Sequence, residues 1–317
     1  YNNRGNAYNS KCEYDRAIAD HTKAIELDQK FTIAYDSRGN AYNERGEYDR
    51  AISDYTKAIE LDPKDAVTYS NRGTAYASKG EYDRAISDCT KAIELDPKDA
   101  RAYVNRVSAY CKKGEYDRAI SDSTKAIELD PKGAAAYNSR GNAYASKGEY
   151  DRAISDYTKA IELDPKHAIA YNNRGGTYNI KGEYDRAISD CTKTIELDPK
   201  YADAYNYRGC AYYKKGEYDR AISDCTKEIE LDPKGAAAYY NRGNAYSSKR
   251  EYDRAISDFT KAIELDPKDA NAYNNRGYTY YLKNEYDSAW ADINTARGLG
   301  YQVNPGLLEL LENRRRK

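Results

Sequence analysis

"AVTYSNRGTAYASKGEYDRAISDCTKAIELDPKD", residues 66–99, decides the fold. Tyr69, Gly73 and Tyr76 stand at i, i+4 and i+7, and Tyr82, Ala85, Ile86, Cys89, Ala92 and Ile93 make a second stripe of helical spacing. Two amphipathic helices are predicted, with Gly80 between them. Gly80 suits the left-handed conformation that stops a helix, while Lys79 before it and Glu81 and Asp83 after it carry the signs the two macrodipoles favour. Pro97 ends the unit. Asp65, Asp99 and Asp269 fall where a following helix needs an N-cap. The stretch reads as a helical hairpin.

Outward in both directions the pattern returns every 34 residues. A partial first repeat (1–31), full repeats over 32–269 and a degenerate ninth (270–303) form one array. Residues 304–317 hold "NPGLLELLENRRRK", in which Leu307, Leu308, Leu310 and Leu311 form an apolar edge; a C-terminal capping helix followed by a basic tail is expected. Such an array resembles the tetratricopeptide repeat family: Tyr69, Tyr76, Tyr82, Gly73, Ala85, Ala92 and Pro97 occupy its signature positions, and the likeness covers residues 1–303. The resemblance implies an all-α, right-handed superhelical solenoid. Departures are few: Val107 replaces the Gly73-type glycine, Cys12, Arg250 and Asn284 replace the Gly80-type glycine, and Gln29 replaces the first proline.

Composition narrows the function. Basic and acidic residues nearly cancel, 51 against 52, so no field favours a polyanion; single-stranded RNA binding, known for other helical-hairpin repeats, is the weakest of three readings. Mean hydropathy is −1.02, yet 36 residues are Tyr, each of which buries a large apolar ring, so an aromatic core is expected instead of disorder. Cys89, Cys191 and Cys225 share one core position with His21, Tyr55, Ser123, Tyr157 and Phe259, whereas Cys12, Cys111 and Cys210 are scattered. No metal-ligand spacing appears, no cofactor is expected, and free thiols suit a reducing, cytoplasmic setting. No apolar run approaches the roughly 20 residues of a membrane span. The sequence opens inside a helix without Met, which suggests a fragment with more chain upstream. No nucleophile–base pair, phosphate loop or carboxylate dyad is visible, and an enzyme is not expected.

An arginine stands three residues after the first tyrosine of every repeat, where the family usually has leucine. On a helical projection Arg72 lies at about 300° from Tyr69, flanking the core and away from the variable positions at about 80° to 180°. Asp88 holds the matching flank of the second helix, and its equivalents recur in all nine units. Pairs Arg72–Asp88, Arg140–Asp156 and Arg174–Asp190 are expected within hairpins. Two alternatives stay open: bonds to the Asp96-type residues of adjoining units, and a ladder gripping an acidic ligand.

The first helix of each repeat carries the variation, because "EYDRAI" stands unchanged in eight of nine second helices. The family resemblance implies that this helix lines a groove for an extended peptide and that the chain is a protein-binding scaffold. Its expected groove is rich in amides and tyrosines: Asn3, Asn71, Asn105, Asn173, Asn206, Tyr207, Tyr213, Tyr240, Asn241, Asn244, Asn274, Asn275, Tyr278 and Tyr281. The row Asn3, Asn71, Asn105, Asn173, Asn241, Asn275 is similar to the asparagine ladder of O-linked N-acetylglucosamine transferases. Solvation of an exposed face explains the same amides without a ligand. The basic clamp of chaperone-binding relatives is not matched, since the groove offers only Arg101, Lys112 and Lys214 as cations. Head-to-tail self-association through repeat ends is the structural alternative.

Overall fold

The structure, a computed structural model, describes residues 1–315; Arg316 and Lys317, the end of the expected basic tail, lie outside the described residues. Two compact units divide the chain, Tyr1–Pro165 and Lys166–Lys317. The first holds α1 (Asn2–Asn9), α2 (Tyr14–Leu27), α3 (Thr32–Glu44), α4 (Tyr48–Leu61), α5 (Ala66–Lys79), α6 (Tyr82–Leu95), α7 (Ala100–Lys112), α8 (Tyr116–Leu129), α9 (Ala134–Ser146) and α10 (Tyr150–Leu163). The second holds α11 (Ala168–Lys181), α12 (Tyr184–Leu197), α13 (Ala202–Lys214), α14 (Tyr218–Leu231), α15 (Ala236–Ser248), α16 (Tyr252–Leu265), α17 (Ala270–Leu282), α18 (Tyr286–Gly298) and α19 (Pro305–Arg315). There is no strand among the described residues.

Each hairpin follows from local chemistry. Gly80 adopts φ 86°, and the amide of Glu81 donates to the Tyr76 carbonyl at 2.9 Å, closing α5 with a left-handed stop. Cys12, Arg250 and Asn284 take the same left-handed turn at φ 58°, 62° and 65°, a strain that glycine avoids elsewhere. Asp65, Asp99 and Asp269 accept from the amides of Val67, Arg101 and Asn271 and cap α5, α7 and α17.

Packing between the two helices of a hairpin is set by one pair of positions. A Cβ on Gly39 would lie 2.6 Å from Tyr55 Cε1, and one on Gly141 or Gly243 would lie 2.6 or 2.8 Å from Tyr157 or Phe259. These glycines are small because a ring crosses them. Val107 becomes intelligible by the same rule, since its partner position holds Ser123 and the valine fills the volume a ring would take. In α19 Leu311 is fully buried, with Leu307 and Leu308 packed beside it against Ala289, Ile293 and Trp290 of α18. Leu310 is 48% exposed, because it projects outside the arc shared by 307, 308 and 311.

Candidate functional site

The arginines sit at seams. Arg72 Nε donates to Asp88 Oδ2 at 2.6 Å and its Nη2 to Oδ1 at 2.9 Å, a two-point pair between α5 and α6. Arg140–Asp156 (2.7 and 2.9 Å) and Arg174–Asp190 (2.7 and 2.8 Å) repeat this geometry. A third nitrogen reaches further: Arg72 Nη1 donates to Thr56 Oγ1 of the preceding hairpin at 3.0 Å, as Arg38 does to Thr22 and Arg208 to Thr192. The Arg72 guanidinium also lies 5.6 and 5.9 Å from the rings of Tyr69 and Tyr76. One cation thus joins two helices of its own hairpin to the previous one, which the sequence reading missed because the threonine recurs in eight of nine units and looks like a solvated helix residue.

The amides of the first helices also work between hairpins. Asn71 Nδ2 donates to Asp36 Oδ1 at 3.0 Å, Asn105 Nδ2 to Ser70 Oγ at 2.9 Å, and Asn241 Nδ2 to Cys210 Sγ at 3.5 Å. Asn275 Nδ2 reaches both Tyr240 OH, at 3.0 Å, and Asn244 Oδ1, at 2.8 Å, while Asn274 donates to Asn275 at 3.1 Å. Asn3 is exposed, and Asn173 is half-buried. Four of the six members of the row, Asn71, Asn105, Asn241 and Asn275, therefore donate to the preceding hairpin and tie the stack together.

Two carboxylates complete this layer. Asp36 accepts from Asn71, Thr68 (3.2 Å) and Asn40 (3.1 Å), and burial raises its pKa above the usual aspartate range. Glu228 of α14 stands where the other second helices have Ala or Thr; Asn206 Nδ2 donates to both its oxygens at 2.9 and 3.0 Å, and burial pushes its pKa up to about 7. Comparison of the repeats marks Glu228 as an outlier in a core position, a signal the sequence reading passed over.

The tyrosines gather in the second unit. Tyr207 packs over Gly176, whose Cβ would come within 2.9 Å of the ring. Tyr213 meets Tyr218 at 5.7 Å, Tyr240 meets Phe259 at 6.0 Å, and Tyr278 stacks on Tyr281 at 6.2 Å, leaving Tyr278 47% exposed.

Each unit has a cleft on its first-helix side. In the first, Val104, Val107, Ser108 and Cys111 of α7 face Ser139, Asn142 and Ser146 of α9 around about 370 Å³, with Lys112 at the edge. In the second, Gly209, Cys210 and Tyr213 of α13 face Tyr240, Asn241 and Asn244 of α15 around about 220 Å³, with Cys225 behind and Lys214 beside them. Burial raises the pKa of Cys111 and Cys210 to about 11, so both thiols are uncharged near pH 7 and a lysine is the one charged residue lining each cleft. Among the described residues no cluster of His, Cys, Asp and Glu can hold a metal, and no helix is long and apolar enough to cross a membrane.

Comparison with known proteins agrees with this architecture. A family model described as tetratricopeptide repeat matches residues 1–31, 66–99, 134–167, 168–201, 202–234 and 236–269; a second so described matches 89–121 and 259–291, and one described as TPR repeat matches 39–80 and 108–148. No curated protein matches the chain. Among solved structures, the APC/C hetero-tetramer Cut9–Hcn1 is similar over 95% of this chain, at TM-score 0.70 and 21% identity, and this chain spans 59% of that one. A tetratricopeptide repeat protein from Parabacteroides merdae is similar over 80% of this chain and 99% of its own, at TM-score 0.57 and 22% identity. Both show the fold. With hairpins closed by left-handed turns and family matches over most of its length, the chain belongs to the tetratricopeptide repeat family, whose members are generally non-enzymatic protein–protein interaction scaffolds.

Proposed function

We propose that the chain holds an extended segment of a partner protein along its first helices, and that it does no chemistry on it. The observation that carries this reading is the contrast between the two helices of a hairpin. Second helices are alike and their charges are mutually satisfied, as in Arg84–Glu81 at 2.7 Å and Lys91–Glu94 at 3.0 Å. First helices differ from repeat to repeat and carry both clefts and the exposed ring of Tyr278. Amides that bond a peptide backbone beside aromatic anchors make a recognition surface that is neutral and tolerant of sequence.

The test is a display library of random eight-residue peptides panned on the full chain. Enriched peptides should lose binding at least tenfold on the Tyr240→Ala/Asn241→Ala/Tyr278→Ala variant, with the circular dichroism melt recorded alongside. A library that yields no binder, or binders indifferent to these substitutions, overturns the reading.

A further inference from the structure

The cleft between α13 and α15 owes its depth to a missing ring. Where the second-helix core position holds Tyr55, Tyr157 or Phe259, the ring passes beneath Gly39, Gly141 or Gly243 toward the first-helix face; Tyr55 OH and Tyr157 OH even reach Asn40 and Asn142 on that face, at 2.8 Å each. In hairpin α13–α14 the glycine is kept as Gly209, but the ring is replaced by Cys225, and the asparagine by Cys210. The thiol does not fill the space. A Cβ on Gly209 would stand 3.4 Å from Cys225 Sγ, against 2.6 and 2.8 Å for the Gly73–Cys89 and Gly175–Cys191 pairs, where sulfur is pressed on the glycine. The vacated volume opens on the first-helix face, between the rings of Tyr213 and Tyr240. The other unit's cleft is built differently, since Val107 stands there at the position of the glycine and Ser123 at that of the ring.

We propose that this cavity receives one aromatic side chain of the bound segment, and that an acidic residue next to it on that segment meets Lys214. The proposal rests on the groove reading above and adds the anchor. Shape argues for a ring, because three hairpins of this same chain fit a ring into the equivalent space. Chemistry argues for an apolar one, because the cavity floor is thiol and glycine, with protonated sulfurs. Charge complementarity argues for the neighbouring acid: Lys214 is exposed at the cavity edge and makes no ion pair among the described residues, whereas Lys215 is held by Asp185 and Glu217 at 2.6 and 3.1 Å.

The test fills the hole from inside. Cys225→Phe copies hairpin α15–α16, where Phe259 lies under Gly243, so the variant is expected to fold; Cys89→Phe makes the same change beneath Gly73 and is the control. From the peptide library panned on the full chain, binders should carry Phe, Tyr or Trp beside Asp or Glu. Their affinity should fall at least tenfold on Cys225→Phe, three- to tenfold on Lys214→Ala, and stay within twofold on Cys89→Phe. Binders without an aromatic residue, or aromatic binders unaffected by Cys225→Phe but lost on the Tyr240/Asn241/Tyr278 variant, overturn the anchor while the groove reading survives. If Cys225→Phe does not melt cooperatively, Gly209→Val, which narrows the same cavity from the first helix, takes its place under the same outcomes.

Discussion

Gly39 and Tyr55 show how tightly single residues are coupled in this protein. Gly39→Val should cost about 3 kcal/mol, because the new side chain and the ring claim one space. Adding Tyr55→Ser, which recreates the Val107/Ser123 combination, should recover most of that loss; urea denaturation of the two variants checks it, and additive losses would refute the coupling. The Arg72–Asp88 pair obeys a different rule. Their side chains are 15% and 11% exposed, so Asp88→Ala strands a guanidinium at a dry seam and should cost about 3 kcal/mol, while Arg72→Leu with Asp88→Leu should be near neutral. The double variant also frees Thr56, whose hydroxyl already donates to the Ile52 carbonyl at 2.7 Å and so is not orphaned. Equal melting losses for the two variants would contradict this.

At the scale of the element, α14 carries a pH dependence set by a buried carboxyl group. Glu228 has a folded pKa near 7, above its ordinary 4.5, through burial first and then the nearby Asp203 and Asp232, with the Asn206 bonds opposing. The folded chain therefore holds a proton the unfolded chain has released between these values, and stability falls as pH rises through this window. Glu228→Ala should flatten the melting curve between pH 5 and 8 and raise stability at pH 8 by on the order of 2 kcal/mol; an unchanged pH slope would sink the assignment. The turns carry a second, weaker tie. Lys79, Lys113, Lys147, Lys215, Lys249 and Lys283 each bridge to an aspartate of the preceding hairpin, and Arg45 does so to Asp15. These pairs are solvent-facing, so Lys147→Ala should lower the melting temperature only slightly, with the difference vanishing in 1 M salt. Helices, stops and caps were legible because each depends on residues within a few positions. The within-hairpin Arg–Asp pair was legible from helical angle alone. Bonds such as Asn71–Asp36 and Lys79–Asp49 were not, since they depend on how one hairpin rotates on the last, a quantity no single period contains.

At the scale of the whole molecule, each unit presents a monotonous, charge-paired set of second helices and a varied set of first helices. The monotony has a physical source: core, turn and seam positions are constrained by ring packing, left-handed turns and bidentate pairs, which leaves mainly the first-helix surface free to differ. Division into two units was not legible, because the period runs through residue 165 without a change in composition. The two clefts stand three periods apart in sequence and share a lysine at one position, Lys112 and Lys214, but only the second keeps the glycine, Gly209, where the first has Val107. Hydrogen–deuterium exchange of the full chain with and without a library-selected peptide tests the central claim most directly. Slowed exchange confined to first helices, led by α13 and α15, is the predicted result; slowed exchange on the second helices α14 and α16, with α13 and α15 unchanged, would contradict it.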